Sequence, residues 1–388
     1  MTNPKLIRIT TVPISLEKLL EGQLHFMNDY FEVTAISSDK ERLEKYGKNE
    51  GINTFYLPLT RKITPLKDIV AVWKLYRFLK KEKPQIVHTH TPKAGIVGML
   101  ASYLTNVPNR LHTVAGLPLV ETTGIKRKTL NIVEKLTYRF ATKVYPNSLG
   151  LQEFIISEKF TNPSKLKIIG NGSSNGIDTS FFSKAHFSEK QIIQKKNELQ
   201  IPEKDFVFVF VGRIVSDKGI NELVEAFVKL QNDTPLTSHF TLLLIGPFEN
   251  DLDPLSKKTT SEIKSNPKII TTGFQEDVRI YYALGNVLVF PSYREGFPNV
   301  VLQAGAMGLP SIVSDINGCN EIIEEGKNGM IVPVKNSEVL QQKMKELIQN
   351  PELVKKMSAI SRGMITEKYK REYIWNCLLD EYTTFMNS

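Results

Sequence analysis

Short apolar runs alternate with longer segments whose apolar residues recur every three or four positions, along almost the whole chain. Six runs in the first half predict strands, over 6–10, 31–37, 53–57, 85–90, 110–114 and 143–146. Six more predict strands over 206–212, 240–246, 268–273, 286–291, 310–314 and 329–333. Strand-like and helix-like segments in strict alternation argue for parallel sheets covered by helices. Leu16, Leu19, Leu20, Leu24, Met27 and Phe31 are spaced as one helix face, and Leu66, Ile69, Val70, Trp73, Tyr76 and Leu79 as another. The second helix holds Lys67, Lys74, Lys80 and Lys81 mostly off that stripe, the last two suiting the negative end of the helix dipole. Further helices are predicted over 221–230, 278–284, 299–307 and 337–348.

The turn-rich stretch Gly170-Asn171-Gly172-Ser173-Ser174-Asn175-Gly176 predicts a connection between two α/β domains, 1–170 and 171–365. At 388 residues the chain is too long for one ordinary core, which agrees. The segment 366–388, with Tyr369, Tyr373, Trp375, Tyr382 and Phe385, reads as a helix returning to the first domain. Two Rossmann-like halves are expected to bind ligands in a cleft outside the carboxyl ends of their strands.

Composition narrows the class. A hydrophobic fraction of 41% and a charged fraction of 23% are those of a globular protein. Cys319 and Cys377 are too few for a disulfide framework and fit a reducing cytoplasm. The first residues lack the pattern of a secretory leader. The apolar stretch 94–104 is glycine-interrupted and short of the roughly 18 residues that span a bilayer. Net charge is +9, unevenly spread: 1–170 carries 26 Lys+Arg against 14 Asp+Glu (+12), the remainder 24 against 27 (−3). So basic a first half points either to an anionic partner (nucleic acid, an anionic membrane, a phosphorylated acceptor) or to a solvated face.

The chemistry gathers in two stretches. Pro291-Ser292-Tyr293-Arg294-Glu295-Gly296-Phe297-Pro298-Asn299-Val300-Val301-Leu302-Gln303 follows a predicted strand and turns into a helix. Such a helix start aims unpaired N–H groups and a positive dipole end at phosphate or sugar oxygens. Glu295 at that mouth would repel phosphate but accept hydrogen bonds from sugar hydroxyls. Val211-Gly212-Arg213-Ile214-Val215-Ser216-Asp217-Lys218-Gly219 likewise links a strand to a helix. Arg213 as a planar fork and Lys218 as a point charge could neutralise a diphosphate without a metal. His88 and His90 share one strand face, but no third metal ligand accompanies them. Asp251-Leu252-Asp253 reads as a solvated loop rather than a metal-binding Asp-x-Asp.

These stretches, with Thr272-Gly273-Phe274, Asp277-Val278 and Tyr281-Tyr282-Ala283-Leu284, closely resemble glycosyltransferase family 4, retaining enzymes of the GT-B fold. His88-Thr89-His90-Thr91-Pro92-Lys93-Ala94-Gly95 and His112-Thr113-Val114-Ala115-Gly116 resemble the branch that builds capsular and other surface polysaccharides. The resemblance implies two Rossmann-like domains facing across a cleft, the first for acceptor and the second for donor. It implies that Arg213 and Lys218 hold the donor diphosphate and that Glu295 binds the donor sugar. The backbone of Gly296, Phe297, Pro298, Asn299 and Val300 would contact sugar and phosphate, and Gln303 the ribose. The family pattern has a second Glu where this chain has Gln303, and many relatives have a His where it has Ala115. An amide still accepts and donates toward ribose hydroxyls. His90 is either a substitute for the missing histidine or a structural residue.

Lys126, Arg127 and Lys128, with Lys93, Arg61 and Lys62, could meet a lipid diphosphate or anionic head groups. Leu117, Leu119 and Val120 nearby read equally as an interfacial anchor or as loop core. The resemblance thus implies a hexosyltransferase needing no metal or other cofactor. A nucleoside diphosphate sugar, UDP being the expected nucleotide, would be the donor, and a polyprenyl diphosphate-linked saccharide the acceptor. Contact with an anionic membrane on its cytoplasmic face follows, with no role for nucleic acid. Two alternatives share the architecture: a nucleotide-sugar 2-epimerase and a non-catalytic nucleotide-sugar-binding protein.

Overall fold

The computed structural model describes residues 3–387, except 61, 63, 118, 120–121, 234–238 and 250–252. Arg61, Val120, Asp251 and Leu252 therefore lie outside the described residues. Among the described residues twelve strands form two parallel six-stranded sheets. The first takes β1 (Lys5–Ile9), β2 (Glu32–Ser37), β3 (Asn53–Tyr56), β4 (Ile86–His90), β5 (Asn109–Val114) and β6 (Lys143–Pro146) in the order β3-β2-β1-β4-β5-β6. The second takes β7 (Phe206–Val211), β8 (Phe240–Ile245), β9 (Ile269–Thr271), β10 (Val287–Phe290), β11 (Ser311–Ser314) and β12 (Gly329–Val332) in the order β12-β11-β10-β7-β8-β9. Both are the Rossmann order, whose reversals lie between β1 and β4 and between β7 and β10.

Contacts divide the chain into two units, residues up to Gly176 with Glu372 onward, and Ile177–Arg371. The division falls at Gly176–Ile177, past the 170–171 expected from the turn-rich stretch. In the first unit the helices are α1 (Pro13–Leu19), α2 (Gln23–Asn28), α3 (Lys40–Glu50), α4 (Pro65–Glu82), α5 (Pro92–Leu104), α6 (Gly124–Phe140) and α7 (Leu149–Ser157). The second has α8 (Glu189–Glu198), α9 (Ile220–Asp233), α10 (Lys257–Ser265), α11 (Arg279–Leu284), α12 (Asn299–Ala306), α13 (Cys319–Ile322), α14 (Ser337–Gln349) and α15 (Pro351–Lys368). The last helix, α16 (Arg371–Asn387), packs on the first sheet, where Leu378 and Tyr382 join Leu6, Ile86, Leu111 and Tyr145 in one buried cluster.

Two sequence expectations are corrected. The spacing from Leu16 to Phe31 predicts one helix, yet Gly22 at φ 72° breaks it into α1 and α2, and Phe31 lies beyond both. Helix α4 forms as predicted but of the predicted stripe buries Leu79, with Ala71 and Leu75 covered beside it, while Leu66, Ile69, Val70 and Trp73 stand exposed. An i, i+4 row of small and branched side chains lets α4 lie close on its neighbour α5, and the bulkier row is turned outward. The stretch 170–176 is pinned rather than loose. Asn175 accepts from Trp375 Nε1 at 2.6 Å and donates to the Glu21 carbonyl at 3.0 Å, and the Ser173 hydroxyl accepts from the Gly176 amide at 3.0 Å.

Candidate active site

The strands β7 and β10 are neighbours at the reversal of the second sheet, and each feeds one of the two chemically marked loops. After β7, residues Ser216–Lys218 make a single tight turn that ends on Gly219 at φ 70°, from which α9 begins. A Cβ on Gly219 would stand 2.1 Å from the Pro291 carbonyl oxygen, so only glycine lets the two loops touch. They are joined further by the Tyr293 amide, which donates to the Asp217 carbonyl at 2.9 Å. Motifs far apart in sequence thus become one cluster.

Its charges are interleaved. Lys218 Nζ donates to the Glu295 carboxylate, with only 15% and 18% of the two side chains exposed, and Ser292 Oγ donates to the same carboxylate at 2.9 Å. Arg213 donates to Glu249 Oε2 at 2.9 Å and lies 3.7 Å from Asp217 Oδ2, which also accepts from Arg294 at 3.0 Å. Burial works to lower the Arg213 pKa, but Glu249 and Asp217 outweigh it and raise it. Each cation therefore rests on a carboxylate, which keeps its partly buried charge paired. The sequence reading had singled out Arg213, Lys218 and Glu295; Arg294, Asp217 and Glu249 emerge only when the loops meet.

Gly296, Phe297 and Pro298 lead into α12, where the Pro298 carbonyl accepts from the Val301 amide at 3.1 Å. Phe297 itself is core, its ring 5.3 Å from that of Tyr369, and Gly296 and Pro298 are buried beside it. Gly318 packs beneath it: a Cβ there would come within 2.5 Å of the Gly296 carbonyl oxygen. Gln303, on α12 beside Val300, is half-buried, and its amide oxygen accepts from the Tyr282 hydroxyl at 3.1 Å. The NH2 group is thereby left as the polar end of Gln303 that can turn to a ligand. Cys319 at the start of α13 is fully buried, and burial, aided by Glu295, pushes its thiol pKa well up, which makes it inert.

In the first unit the expected acceptor residues are dispersed. His90 is buried with its Nδ1 3.2 Å from the Arg8 guanidinium, and His88 Nδ1 lies 2.9 Å from the same group. Burial, and then the Arg8 charge, lower both imidazole pKa values well below the ordinary one. The same charge opposes a bound cation, and among the described residues no cluster of three or more metal-ligating side chains occurs. Lys93 is paired with Asp68 at 2.5 Å. Arg127 is paired with Glu158 at 2.9 Å and also donates to the Leu119 carbonyl. Lys126 and Lys128 stand exposed on the first turn of α6. Leu117 and Leu119 are buried, as loop core.

One group escaped sequence reading altogether. Glu134 on α6 is 4% exposed and lines a cavity of ≈180 Å³ with Thr91, His112, Ala115 and Gly116. Its signal was an acidic residue one turn from Leu130 and one from Tyr138, on the apolar stripe of the helix.

The fold and the site define a nucleotide-sugar transferase architecture, and similarity to known proteins agrees. Residues 191–364 match the family described as glycosyl transferases group 1, and 27–172 match the glycosyl transferase 4-like domain. The chain is 32% identical over 387 residues to the capsular polysaccharide biosynthesis glycosyltransferase CapM of Staphylococcus aureus, covering 100% of this chain and 98% of that protein. It is 31% identical over 315 residues to the UDP-Gal:alpha-D-GlcNAc-diphosphoundecaprenol alpha-1,3-galactosyltransferase of Escherichia coli, covering 80% and 78%. The crystal structure of Anabaena Alr3699/HepE in complex with UDP shares the fold with a TM-score of 0.81 at 17% identity, over 99% of this chain and 100% of that one. The chain belongs to glycosyltransferase family 4, in the branch of surface polysaccharide biosynthesis, and has the GT-B fold.

Proposed function

We propose that this glycosyltransferase moves a hexose or N-acetylhexosamine from a nucleoside diphosphate sugar, with UDP as the nucleotide, to a lipid-linked saccharide, with retention at the anomeric carbon and without a metal. The observation that carries it is the pairing of Lys218 with Glu295 inside a ring of Arg213, Arg294, Asp217 and Glu249. Lys218 and the arginines stabilise the charge that grows on the departing diphosphate, and their fixed positions avoid reorganisation during bond cleavage. Glu295, held by Lys218 and Ser292, is placed to accept from hydroxyls of the donor sugar. The leaving phosphate takes the proton of the attacking acceptor hydroxyl on the same face, so no strong protein base is needed. The name of the E. coli relative, whose acceptor is a GlcNAc-diphosphoundecaprenol, supports a polyprenyl diphosphate-linked acceptor.

A cytoplasmic membrane face is the proposed place of work. No helix of the described residues is long and apolar enough to cross a membrane. The outward face of α4, with Leu66 82% and Trp73 55% exposed beside Lys62, Lys67 and Lys74, supports contact with an anionic surface. Exposed Ile125, Lys126 and Lys128 open α6 in the same manner.

UDP at about 100 times its Kd should stabilise the protein by about 2.7 kcal/mol. In Lys218→Ala and Arg213→Ala that shift should shrink, and transfer from UDP-sugars should fall about 10²–10³-fold. Turnover close to that of the native enzyme in Lys218→Ala would overturn the reading.

A further inference from the structure

The cavity beside Glu134 lies at the carboxyl ends of β4 and β5, next to the strand-order reversal of the first sheet. Open α/β sheets bind ligands at such points. The loop after β4 is held there under strain: Thr91, a β-branched residue, adopts φ 76°, and its hydroxyl lies 2.7 Å from that of Thr11 at the end of β1. Glu134 reaches the cavity from α6, with Ala115, Gly116 and the buried Leu117 on the opposite loop.

The chemistry of the walls selects a ligand class. Glu134, Thr91, His112, Thr113 and the loop 114–117 line it, with apolar surface from Leu19, Pro92 and Leu117. The Thr113 hydroxyl lies 2.7 Å from His88 Nε2 and His112 Nδ1 2.8 Å from the Thr89 hydroxyl, which leaves Glu134 as the acidic group of the wall. Among the described residues no lysine or arginine lines it, which disfavours a phosphate. The imidazole, His112, is held down to about 4 by burial and is neutral at physiological pH. Drug-sized ligands occupy roughly 300–1,000 Å³. A cavity of ≈180 Å³ suits one sugar ring, with its C–H faces on the apolar walls and its hydroxyls toward Glu134. Burial pushes the Glu134 carboxyl up to about 7, against a smaller lowering by the adjacent Tyr138 hydroxyl. A buried carboxyl of this kind gains most from hydrogen bonds that sugar hydroxyls donate.

We infer that this cavity is a binding site for a single neutral pyranose ring of the acceptor saccharide, with Glu134 as the residue that accepts its hydroxyls. The inference rests on the transferase reading for its choice of acceptor over donor, because the cations suited to a donor diphosphate belong to the other unit. Glu134 is a specificity-determining residue for the acceptor and takes no part in donor binding.

The test uses saturation-transfer NMR on the full chain, with methyl glycosides of glucose, galactose, N-acetylglucosamine and N-acetylgalactosamine as probes. At least one glycoside should bind, and should remain bound under saturating UDP-glucose or UDP-N-acetylglucosamine. Binding should weaken about tenfold in Glu134→Ala, the loss of a hydrogen bond to a charged group, and stay unchanged in Arg213→Ala. Glu134→Gln, which keeps the shape, serves if the alanine variant fails to fold, and should weaken binding in the same direction. Equal binding in the native protein and Glu134→Gln, displacement of the glycoside by the UDP-sugars, or no binding of any glycoside would each overturn the inference. The UDP-induced thermal shift of the native protein is measured alongside. Its absence would sink the transferase reading, whereas its presence with glycoside binding indifferent to Glu134 would sink only the acceptor site.

Discussion

Glu134 illustrates how one side chain can set a pH dependence. Its pKa is about 7 in the folded protein, against 4.5 for an ordinary glutamate, because burial penalises the charged form. Between those values the folded state holds a proton that the unfolded chain has released, so stability falls as pH rises through this window and levels off above it. The full effect is about 3 kcal/mol. Glu134→Gln should therefore gain stability relative to the native protein from pH 5 to pH 8, by a change of that order in urea unfolding. His88 responds in the opposite sense. Its pKa is depressed by burial and by Arg8, so the unfolded chain binds a proton below about 6.5 that the folded one refuses. Acid should cost stability there, and Arg8→Met should soften that loss.

Among the elements, the two loops after β7 and β10 depend on backbone clearance more than on side-chain contacts. Gly219→Ala must accommodate both φ 70° and a carbonyl 2.1 Å away, which the local packing cannot provide without moving the Pro291 loop. The variant should lose roughly 2–4 kcal/mol and most of its affinity for UDP, read by thermal unfolding with and without the nucleotide. Helix α4 makes the contrary case. Replacing Leu66, Ile69, Val70 and Trp73 with serine removes exposed apolar surface and touches no core. Stability should change by no more than about 0.5 kcal/mol per site, while co-sedimentation with vesicles containing anionic lipid should be lost. Vesicle binding equal to that of the native protein would remove α4 from the membrane contact.

At the scale of the whole molecule, the end of the chain completes the fold of its beginning. Arg8 on β1 is fully buried, and its guanidinium meets His88, His90 and the Tyr382 hydroxyl of α16. Glu381 receives Lys167 and the Tyr145 hydroxyl, the latter at 3.1 Å. Tyr382→Phe should cost about 1–3 kcal/mol by taking a partner from a buried cation, seen as a lower urea midpoint with an unchanged slope.

The alternation of apolar runs and helical spacing was enough to place the twelve strands of the described residues, most plainly β7 and β10, which are buried on both faces and so carry unbroken apolar runs. The motif residues Arg213, Lys218, Glu295 and Gln303 were legible for a related reason: strand-to-helix loops in such sheets carry their glycines and charges in fixed local order. Three things were decided only in space. The face that α4 buries depends on its fit to α5, and spacing alone favoured the bulkier row. The charge balance of the site arises from loops that pack together at Gly219 and Pro291, a contact distant in sequence. Glu134 went unread in the sequence, and only the cavity beside it sets that carboxyl apart. Local periodicity is written in the chain because secondary structure repeats over a few residues. Burial and charge pairing depend on which distant surfaces meet, and the tertiary structure alone determines that.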